Sequence, residues 1–324
     1  MFYASPGGLA LTGRTMDWFA DMPTNLWAWP RGMERHGAAG PMAARWTSRY
    51  GSVGVGSWHA ATTDGMNEAG LVANVLYLAE SSYPDLTTES PAGALSIAVW
   101  GQYALDCYAT VADAVAAFEN GAVYVVTAMT PDGKPGTGHL ALSDASGDSA
   151  ILEYIDGKLT IHHAREFGVM TNSPAYEQQL ALNAYWQGIG GNVMLPGTNR
   201  SADRFVRASY YLGLVSSEDV VGAAADVMAI MRNVSAPRAV EPLPNAPNVS
   251  PTRWRSVADQ VNGRYYFEQT DRPNVFWVDL ADLDLGEGQP PRRLSLTQGE
   301  VWAGNTAASF APAEPMRFMP VVPA

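Results

Sequence analysis

Residues 138–163 read GHLALSDASGDSAILEYIDGKLTIHH, and this stretch decides the fold class. It contains three runs rich in apolar residues, at 138–144, 150–155 and 158–163. The turn signals Ser146-Gly147-Asp148 and Asp156-Gly157 separate these runs, and Asp-Gly between apolar runs is a strong hairpin signal. The stretch therefore predicts a meander of antiparallel strands.

The rest of the chain extends this pattern in both directions. Short β-like runs separated by Gly and Pro fill the first ninety residues, and further strands are predicted at 122–129 and 168–171. Apolar residues at helical spacing predict helices, and the last part returns to strands. The predicted helices span 95–108, 111–118, 175–186, 202–214 and 217–231, and the predicted late strands span 253–261, 263–269 and 275–279. A doubly wound parallel sheet would alternate strand and helix singly, so this order instead predicts an α+β fold of antiparallel sheets covered by helices.

Charge and composition exclude several classes of protein. Of 324 residues, 32 are acidic and 20 are basic, so the formal net charge is -12 and we expect no nucleic-acid partner. Hydrophobic residues make up 47%, which is enough for a large core. No run approaches the ~18 apolar residues of a membrane span. The N-terminus also lacks the basic and apolar regions of a signal peptide.

We expect neither a metal nor another cofactor. Zinc needs three or four converging ligands, whereas most of the five histidines are isolated in sequence. His162 and His163 are adjacent on a predicted strand, so their side chains point to opposite faces. The single cysteine, Cys107, can form no internal disulfide. It falls in a predicted amphipathic helix, where a free cysteine is usually a small buried hydrophobe.

Two segments have residue types that suit a catalytic site. Residues 13–18, GRTMDW, place Arg14 and Asp17 three apart at the end of a strand, but a surface ion pair explains them as well. Residues 168–174, GVMTNSP, lead from a predicted strand into a helix, and capping of that helix by Asn172 or Ser173 is an equal alternative. The residues alone leave both segments open.

Together with two further motifs, these segments resemble the cholylglycine hydrolase family, which contains bile salt hydrolases and penicillin V acylases. The motifs follow the family's order and spacing: 13–18, DGMNEAGL at 64–71 leading to Leu76-Tyr77, 168–174, and LPG at 195–197 with ADRFVR at 202–207. Residues 25–33, NLWAWPRGM, resemble the Gram-negative branch most. The resemblance implies one domain over 1–324, a four-layer αββα sandwich, and hydrolysis of a linear amide by an N-terminal nucleophile.

The resemblance also implies roles for individual residues. Arg14 would favour the thiolate of the nucleophile, Asp17 would hold its thiol and α-amino group, and Arg204 would complete the charge network. The side-chain amide of Asn172 and the backbone N–H of Tyr77 would stabilise the oxyanion. Aromatic residues and methionines follow the Arg14–Asp17 pair, and we expect them to form the acyl pocket. These predicted substrate-binding residues are Met16, Trp18, Phe19, Met22 and Trp27.

The family's nucleophile, an N-terminal cysteine, is missing from the sequence. It would fall about three residues before Met1, and Cys107 is far from that position. Two explanations stay open. The sequence starts inside a longer protein, whose leader would then direct it to the periplasm, or the chain is a non-catalytic homologue that binds apolar acyl amides. In both cases we expect no amide hydrolysis by the 324-residue chain.

The expected ligand is a small N-acyl amide with an apolar acyl group. The Gram-negative character of residues 25–33 ranks penicillin V or an N-acyl homoserine lactone above conjugated bile salts. Members of the family often form tetramers, which leaves a homotetramer open as an expectation.

Overall fold

The computed structural model describes residues 1–5, 7–238 and 250–321. The helices in these ranges are α1 Ile97–Cys107, α2 Val111–Glu119, α3 Tyr176–Ile189, α4 Ser201–Leu212 and α5 Val220–Asn233. The strands are β1 Phe2–Ala4, β2 Ala10–Asp17, β3 Thr24–Trp29, β4 Glu34–His36, β5 Arg45–Thr47, β6 Ser52–Ser57, β7 Ala61–Asn67, β8 Val72–Leu76, β9 Ala94–Ser96, β10 Tyr124–Val126, β11 His139–Ser143, β12 Ser149–Ile155, β13 Lys158–His163, β14 Thr252–Asp259, β15 Arg264–Gln269, β16 Arg272–Asp279, β17 Arg292–Leu294, β18 Gly304–Asn305 and β19 Ala311–Pro312.

Two large sheets account for most of these strands. The first has six strands in the order β1-β2-β14-β15-β16-β18, antiparallel except where β18 joins β16. The second has nine strands in the order β13-β12-β11-β8-β7-β6-β3-β17-β19 and is antiparallel throughout. Two small pairs, β4 with β5 and the parallel pair β9 with β10, lie outside them. The antiparallel arrangement predicted from the sequence is confirmed.

One of the two largest core clusters lies between the nine-stranded sheet and the helices α1 and α2, and the other lies between the two sheets. Met16 and Phe267 of the six-stranded sheet pack there against Leu26 and Met66 of the nine-stranded sheet. Side chains alternate across a strand, so the even-numbered residues of β2 point into this core and the odd-numbered ones point away from it.

Helices cover the outer faces of both sheets. α5 packs on β2 and β14, and Gly13 allows this close approach, since a Cβ there would lie 2.7 Å from Cγ1 of Val227. On the other side, α1 packs on β7 and β8 and is buried along its whole length. Ser96 caps α1 by accepting the backbone N–H of Ala98. The layers are therefore helix, sheet, sheet, helix, which confirms the predicted α+β fold.

Backbone hydrogen bonds explain which of the predicted strands and helices form. The stretch 138–163 forms β11, β12 and β13 as predicted, with Leu140 opposite Leu152 and Leu152 opposite Ile161. The predicted strand at 168–171 is wrong, because β1 and side chains, rather than a neighbouring ladder, bind its backbone. The helix predicted from residue 95 begins at Ile97, since β9 pairs with β10 instead. None of the helices in the described ranges is long and apolar enough to cross a membrane.

Candidate active site

The end of β2 presents side chains to both faces of the six-stranded sheet. Arg14 and Met16 point between the sheets, and both are buried. Asp17, the last residue of the strand, meets Arg204 of α4. The site is therefore built where β2 stops, between the two sheets and a helix.

The other edge of β2 is only partly covered. β1 pairs with Ala10–Thr12, and the amino nitrogen of Met1 donates to the carbonyl oxygen of Gly13 at 2.8 Å. Burial lowers the pKa of this amino group to about 5, against the opposing effect of Asp64. Because β1 is antiparallel to β2, the N-terminal end of β1 lies nearer the end of β2 that carries Arg14.

Arg14 is buried and is held mainly by backbone groups. Nη2 donates to the carbonyl oxygen of Val75 at 2.8 Å, and Nη1 donates to that of Thr63. The guanidinium lies 5.0 Å from the ring centroid of Trp254. Burial lowers the pKa of Arg14, and the negative charge of Asp64 opposes this shift. No carboxylate of the described residues lies within 4.0 Å of the Arg14 guanidinium.

A continuous chain of hydrogen bonds joins the other predicted catalytic residues. Arg204 Nη1 lies 2.9 Å from Asp17 Oδ2, and Nη2 donates to Asn172 Oδ1 at 2.6 Å. Asn172 Nδ2 in turn donates to the carbonyl oxygen of Tyr77 at 2.7 Å. Thr252 Oγ1 donates to the second carboxylate oxygen of Asp17 at 2.5 Å. Asp17 therefore pairs with Arg204, and the alternative of a local surface pair with Arg14 is wrong.

The backbone of Asn172 is fixed on both sides. Its N–H donates to Ser201 Oγ at 2.8 Å, and its carbonyl oxygen accepts from Gln179 Nε2 at 3.0 Å. The following helix, α3, has Ala175 at its N-cap with no side-chain hydrogen bond. The alternative that Asn172 or Ser173 caps this helix is therefore wrong.

A cavity of about 310 Å³ opens beside these residues. Three of the predicted substrate-binding residues, Met16, Trp18 and Met22, line it. The ring of Tyr77 meets Trp18 edge-on, with centroids 5.9 Å apart. The sequence did not single out several other wall residues, which include Trp58, Val75, Ile97, Lys134 and Met319.

Two of the predicted substrate-binding residues do not line this cavity. Trp27 stacks on Trp29, with ring centroids 4.7 Å apart, in a separate buried cluster. The reason is strand alternation: Leu26 points between the sheets, so its neighbour Trp27 points to the opposite face of β3. Phe19 packs on Trp18, with ring centroids 5.2 Å apart, but is not one of the residues that line the cavity.

The charge around the cavity is opposite in sign to the charge of the chain. Three cations, Arg14, Lys134 and Arg204, line it with one carboxylate, Asp17, whereas the net charge of the chain is -12. Lys134 Nζ lies 4.0 Å from the ring centroid of Phe19, at the exposed edge of the cavity. Sequence reasoning missed Lys134, although it is one of only two lysines in the chain.

The described ranges contain no group of three or more His, Cys, Asp or Glu side chains arranged to bind a metal ion. Cys107 ends α1 and is buried away from the cavity wall. Burial and the neighbouring Asp106 carboxylate raise the pKa of its thiol to about 12. A thiol with such a pKa is almost wholly protonated near neutral pH, so Cys107 is a poor nucleophile.

Solved structures share this architecture. The structure matches penicillin V acylase from Agrobacterium tumefaciens with a TM-score of 0.92 and 50% identity, over 99% of each chain. A variant of conjugated bile acid hydrolase from Clostridium perfringens matches with a TM-score of 0.77 over 91% of this chain and 96% of that one. At 20% identity, the second match shows the fold alone. The fold is the αββα sandwich of the N-terminal-nucleophile hydrolases.

Sequence comparison defines the family. The model of the linear amide C–N hydrolases, choloylglycine (cholylglycine) hydrolase family, matches residues 3–293. Penicillin V acylase of Pectobacterium atrosepticum is 46% identical over 330 residues, which cover 95% of this chain and 88% of that protein. The chain therefore belongs to the linear amide C–N hydrolases of the choloylglycine hydrolase family, as the motifs indicate.

Proposed function

We propose that this protein hydrolyses the linear amide of penicillin V into phenoxyacetate and a free amine. The observation that carries the proposal is an apolar cavity beside the hydrogen-bonded chain from Asp17 to Tyr77. Its wall of Met16, Trp18 and Met22 suits a flat aromatic acyl group. The relatives named penicillin V acylase, at 46% and 50% identity, support this substrate.

The hydrogen bonds at the site suggest how the oxyanion is stabilised. A side-chain amide has two N–H groups, so Asn172 can bind the Tyr77 carbonyl with one and the oxyanion with the other. Arg204 holds Asn172 Oδ1, which keeps the nitrogen of the amide directed at Tyr77 and the cavity. The backbone N–H of Tyr77 is the proposed second donor. Each such donor is typically worth ~2.7–4 kcal/mol of transition-state stabilisation.

Charge favours penicillin V over an N-acyl homoserine lactone. Penicillin V carries a carboxylate on the amine side of its amide, whereas the lactone is neutral. Lys134 lies at the exposed edge of the cavity, and none of the described carboxylates is within 4.0 Å of its ammonium group. In our proposal, Lys134 binds the substrate carboxylate while the acyl group enters the apolar wall.

The register of β1 supports a position for the nucleophile. Phe2 lies opposite Thr12, so residues added before Met1 in the same register lie opposite Arg14, Thr15 and Met16 in turn. Opposed residues on neighbouring strands point to the same face, so the third added residue shares the face of Met16, which lines the cavity. A cysteine there would also stand next to Asp17. We propose that the 324-residue chain is inactive because it holds no thiol at this place.

The test is an N-terminal extension by three residues. The extended chain begins Cys-Ala-Ala before Met1, with its initiator removed, and the matched control begins Ala-Ala-Ala. We expect the cysteine version to release the amine of penicillin V, and both the control and the 324-residue chain to be inactive. Turnover by the 324-residue chain that depends on Asp17 would contradict the proposal.

The alternative is a non-catalytic protein that binds apolar acyl amides. It predicts that the cysteine version binds penicillin V, as titration calorimetry would show, but releases no amine. The proposed reaction predicts both binding and release. Faster turnover of a conjugated bile salt than of penicillin V by the cysteine version would overturn the substrate proposal.

A further inference from the structure

A buried pair of a histidine and a glutamate lies next to the segment that carries the proposed oxyanion donor. His139 of β11 and Glu153 of β12 are each 1% exposed, and Nδ1 of His139 lies 2.8 Å from Oε1 of Glu153. Nε2 of His139 lies 2.8 Å from the carbonyl oxygen of Thr171. Because Thr171 immediately precedes Asn172, this pair contacts the backbone that carries the proposed oxyanion donor.

Both ring nitrogens of His139 face hydrogen-bond acceptors. A carbonyl oxygen can only accept, so Nε2 must carry a proton to bind Thr171. Burial by itself would raise the pKa of Glu153, but hydrogen bonds from His139, His162 and the Tyr176 backbone outweigh it and lower the pKa to about 2. An ionised Glu153 can only accept, so Nδ1 of His139 carries a proton as well. His139 is then an imidazolium.

The ion pair holds the site segment at both ends. His139 binds the carbonyl of Thr171, and Oε2 of Glu153 accepts the N–H of Tyr176, the first residue of α3, at 3.0 Å. We propose that His139, held as an imidazolium by Glu153, is a positioning residue that fixes the Thr171–Tyr176 segment and so directs the Asn172 amide. The inference deepens the proposed function, on which its catalytic part rests.

The groups around the ion pair come from neighbouring elements. His162 of β13 has its Nε2 3.7 Å from Oε2 of Glu153, and its ring packs on Tyr176 of α3 at 5.0 Å. Burial raises the pKa of the Tyr176 hydroxyl, and the negative charges of Glu153 and Glu166 raise it further. Tyr176 therefore stays neutral near neutral pH. Removing the proton on Nε2 of His139 would remove the donor to Thr171.

The protonation state can be measured on the 324-residue chain without any activity. We expect the nitrogen NMR spectrum of ¹⁵N-histidine-labelled protein at neutral pH to show both His139 nitrogens protonated, since each faces an acceptor. The His139→Gln variant assigns the signal among the five histidines. A neutral His139 ring at this pH would overturn the inference.

The positioning role needs a second readout in the same chain. We expect His139→Gln to shift the side-chain amide signal of Asn172. His163→Gln, which removes a histidine paired with Asp148 at the surface, should leave that signal in place. Equal Asn172 signals in wild-type protein and His139→Gln would show that the ion pair does not position the segment.

The catalytic part is tested in the cysteine-extended chain. We expect His139→Gln to lower kcat for penicillin V about tenfold or more with KM nearly unchanged. The reason is that a displaced Asn172 amide would stabilise the transition state less while substrate binding stays the same. His163→Gln should leave both constants unchanged. If wild-type extended protein is inactive, the proposed function fails while the NMR results still decide the positioning role. If kcat is unchanged by His139→Gln in an active chain, the catalytic part of the inference fails alone.

Discussion

Arg14 and Arg204 line the same cavity, but different groups hold their charges. Arg204 donates to the carboxylate of Asp17 and the amide oxygen of Asn172. Arg14 instead donates to two backbone carbonyls and packs on the ring of Trp254. We infer from this difference that Arg204 fixes the geometry of Asp17 and Asn172, whereas Arg14, which pairs with no carboxylate of the described residues, can act on a nearby anion. Three experiments test this contrast, one at Arg204, one at Arg14 and one at Lys134, the third cation that lines the cavity.

The largest expected effect is on stability at Arg204. Removing one partner of a buried ion pair leaves the other charge unpaired, so Arg204→Met should lower the free energy of unfolding by about 3–5 kcal/mol. The measurement is urea unfolding of the 324-residue chain. The matched control is Arg232→Met, because Arg232 is 49% exposed and its partner Glu268 also binds Arg255.

We expect the Arg232 control to lose only about 0–1 kcal/mol, as exposed ion pairs do. Similar losses of unfolding free energy for the two variants would contradict the inference that Arg204 stabilises the fold by joining β2 to the segment that contains Asn172.

Replacement of Arg14 should change reactivity more than stability. In the cysteine-extended chain, Arg14→Met removes a nearby cation, so the pKa of the added thiol rises and its alkylation near pH 7 slows about tenfold or more. We expect a smaller loss of unfolding free energy than at Arg204, about 1–3 kcal/mol, because two buried carbonyls lose their donor.

The matched control for Arg14 is Arg255→Met. Arg255 lies on the adjacent strand β14 but binds Glu268 and Ser235 instead of the cavity. Alkylation should be unchanged in this control. If Arg14→Met also leaves the alkylation rate unchanged, Arg14 does not act on the nucleophile.

The smallest expected effect is at Lys134, the exposed cation of the cavity. Exposed ion pairs contribute about 0–1 kcal/mol, so Lys134→Ala in the cysteine-extended chain should raise KM for penicillin V by no more than about fivefold. A neutral phenoxyacetyl amide should show no change. Lys158→Ala is the matched control, since Lys158 lies exposed on β13 and does not line the cavity.

A rise in KM for the neutral amide as well would show that Lys134 supports the cavity wall instead of binding a carboxylate. High salt should reduce the effect on penicillin V, because an exposed charge pair is screened.

The success of the sequence-based predictions depended on how local the signal was. The meander at 138–163 follows from apolar runs and an Asp-Gly turn, and it was predicted correctly. The predictions that the structure does not reproduce concern residues whose position depends on strand alternation or on contacts distant in sequence. Trp27 looked like a pocket residue because it follows Asp17 closely, but strand alternation turns it to the other face of the sheet. Lys134 was missed because its approach to Phe19 depends on how two loops pack.

The sequence by itself determined the fold class and the family, because short-range patterns and motifs in order carry that information. Only the tertiary structure decided which groups pair. Asp17 binds Arg204, 187 positions away, instead of Arg14, three positions away. His139 reaches Thr171 across 32 positions and joins the site that way. The physical reason is that burial selects partners by geometry and desolvation, since a buried charge or polar group must find its counterpart wherever the fold brings one within hydrogen-bonding distance.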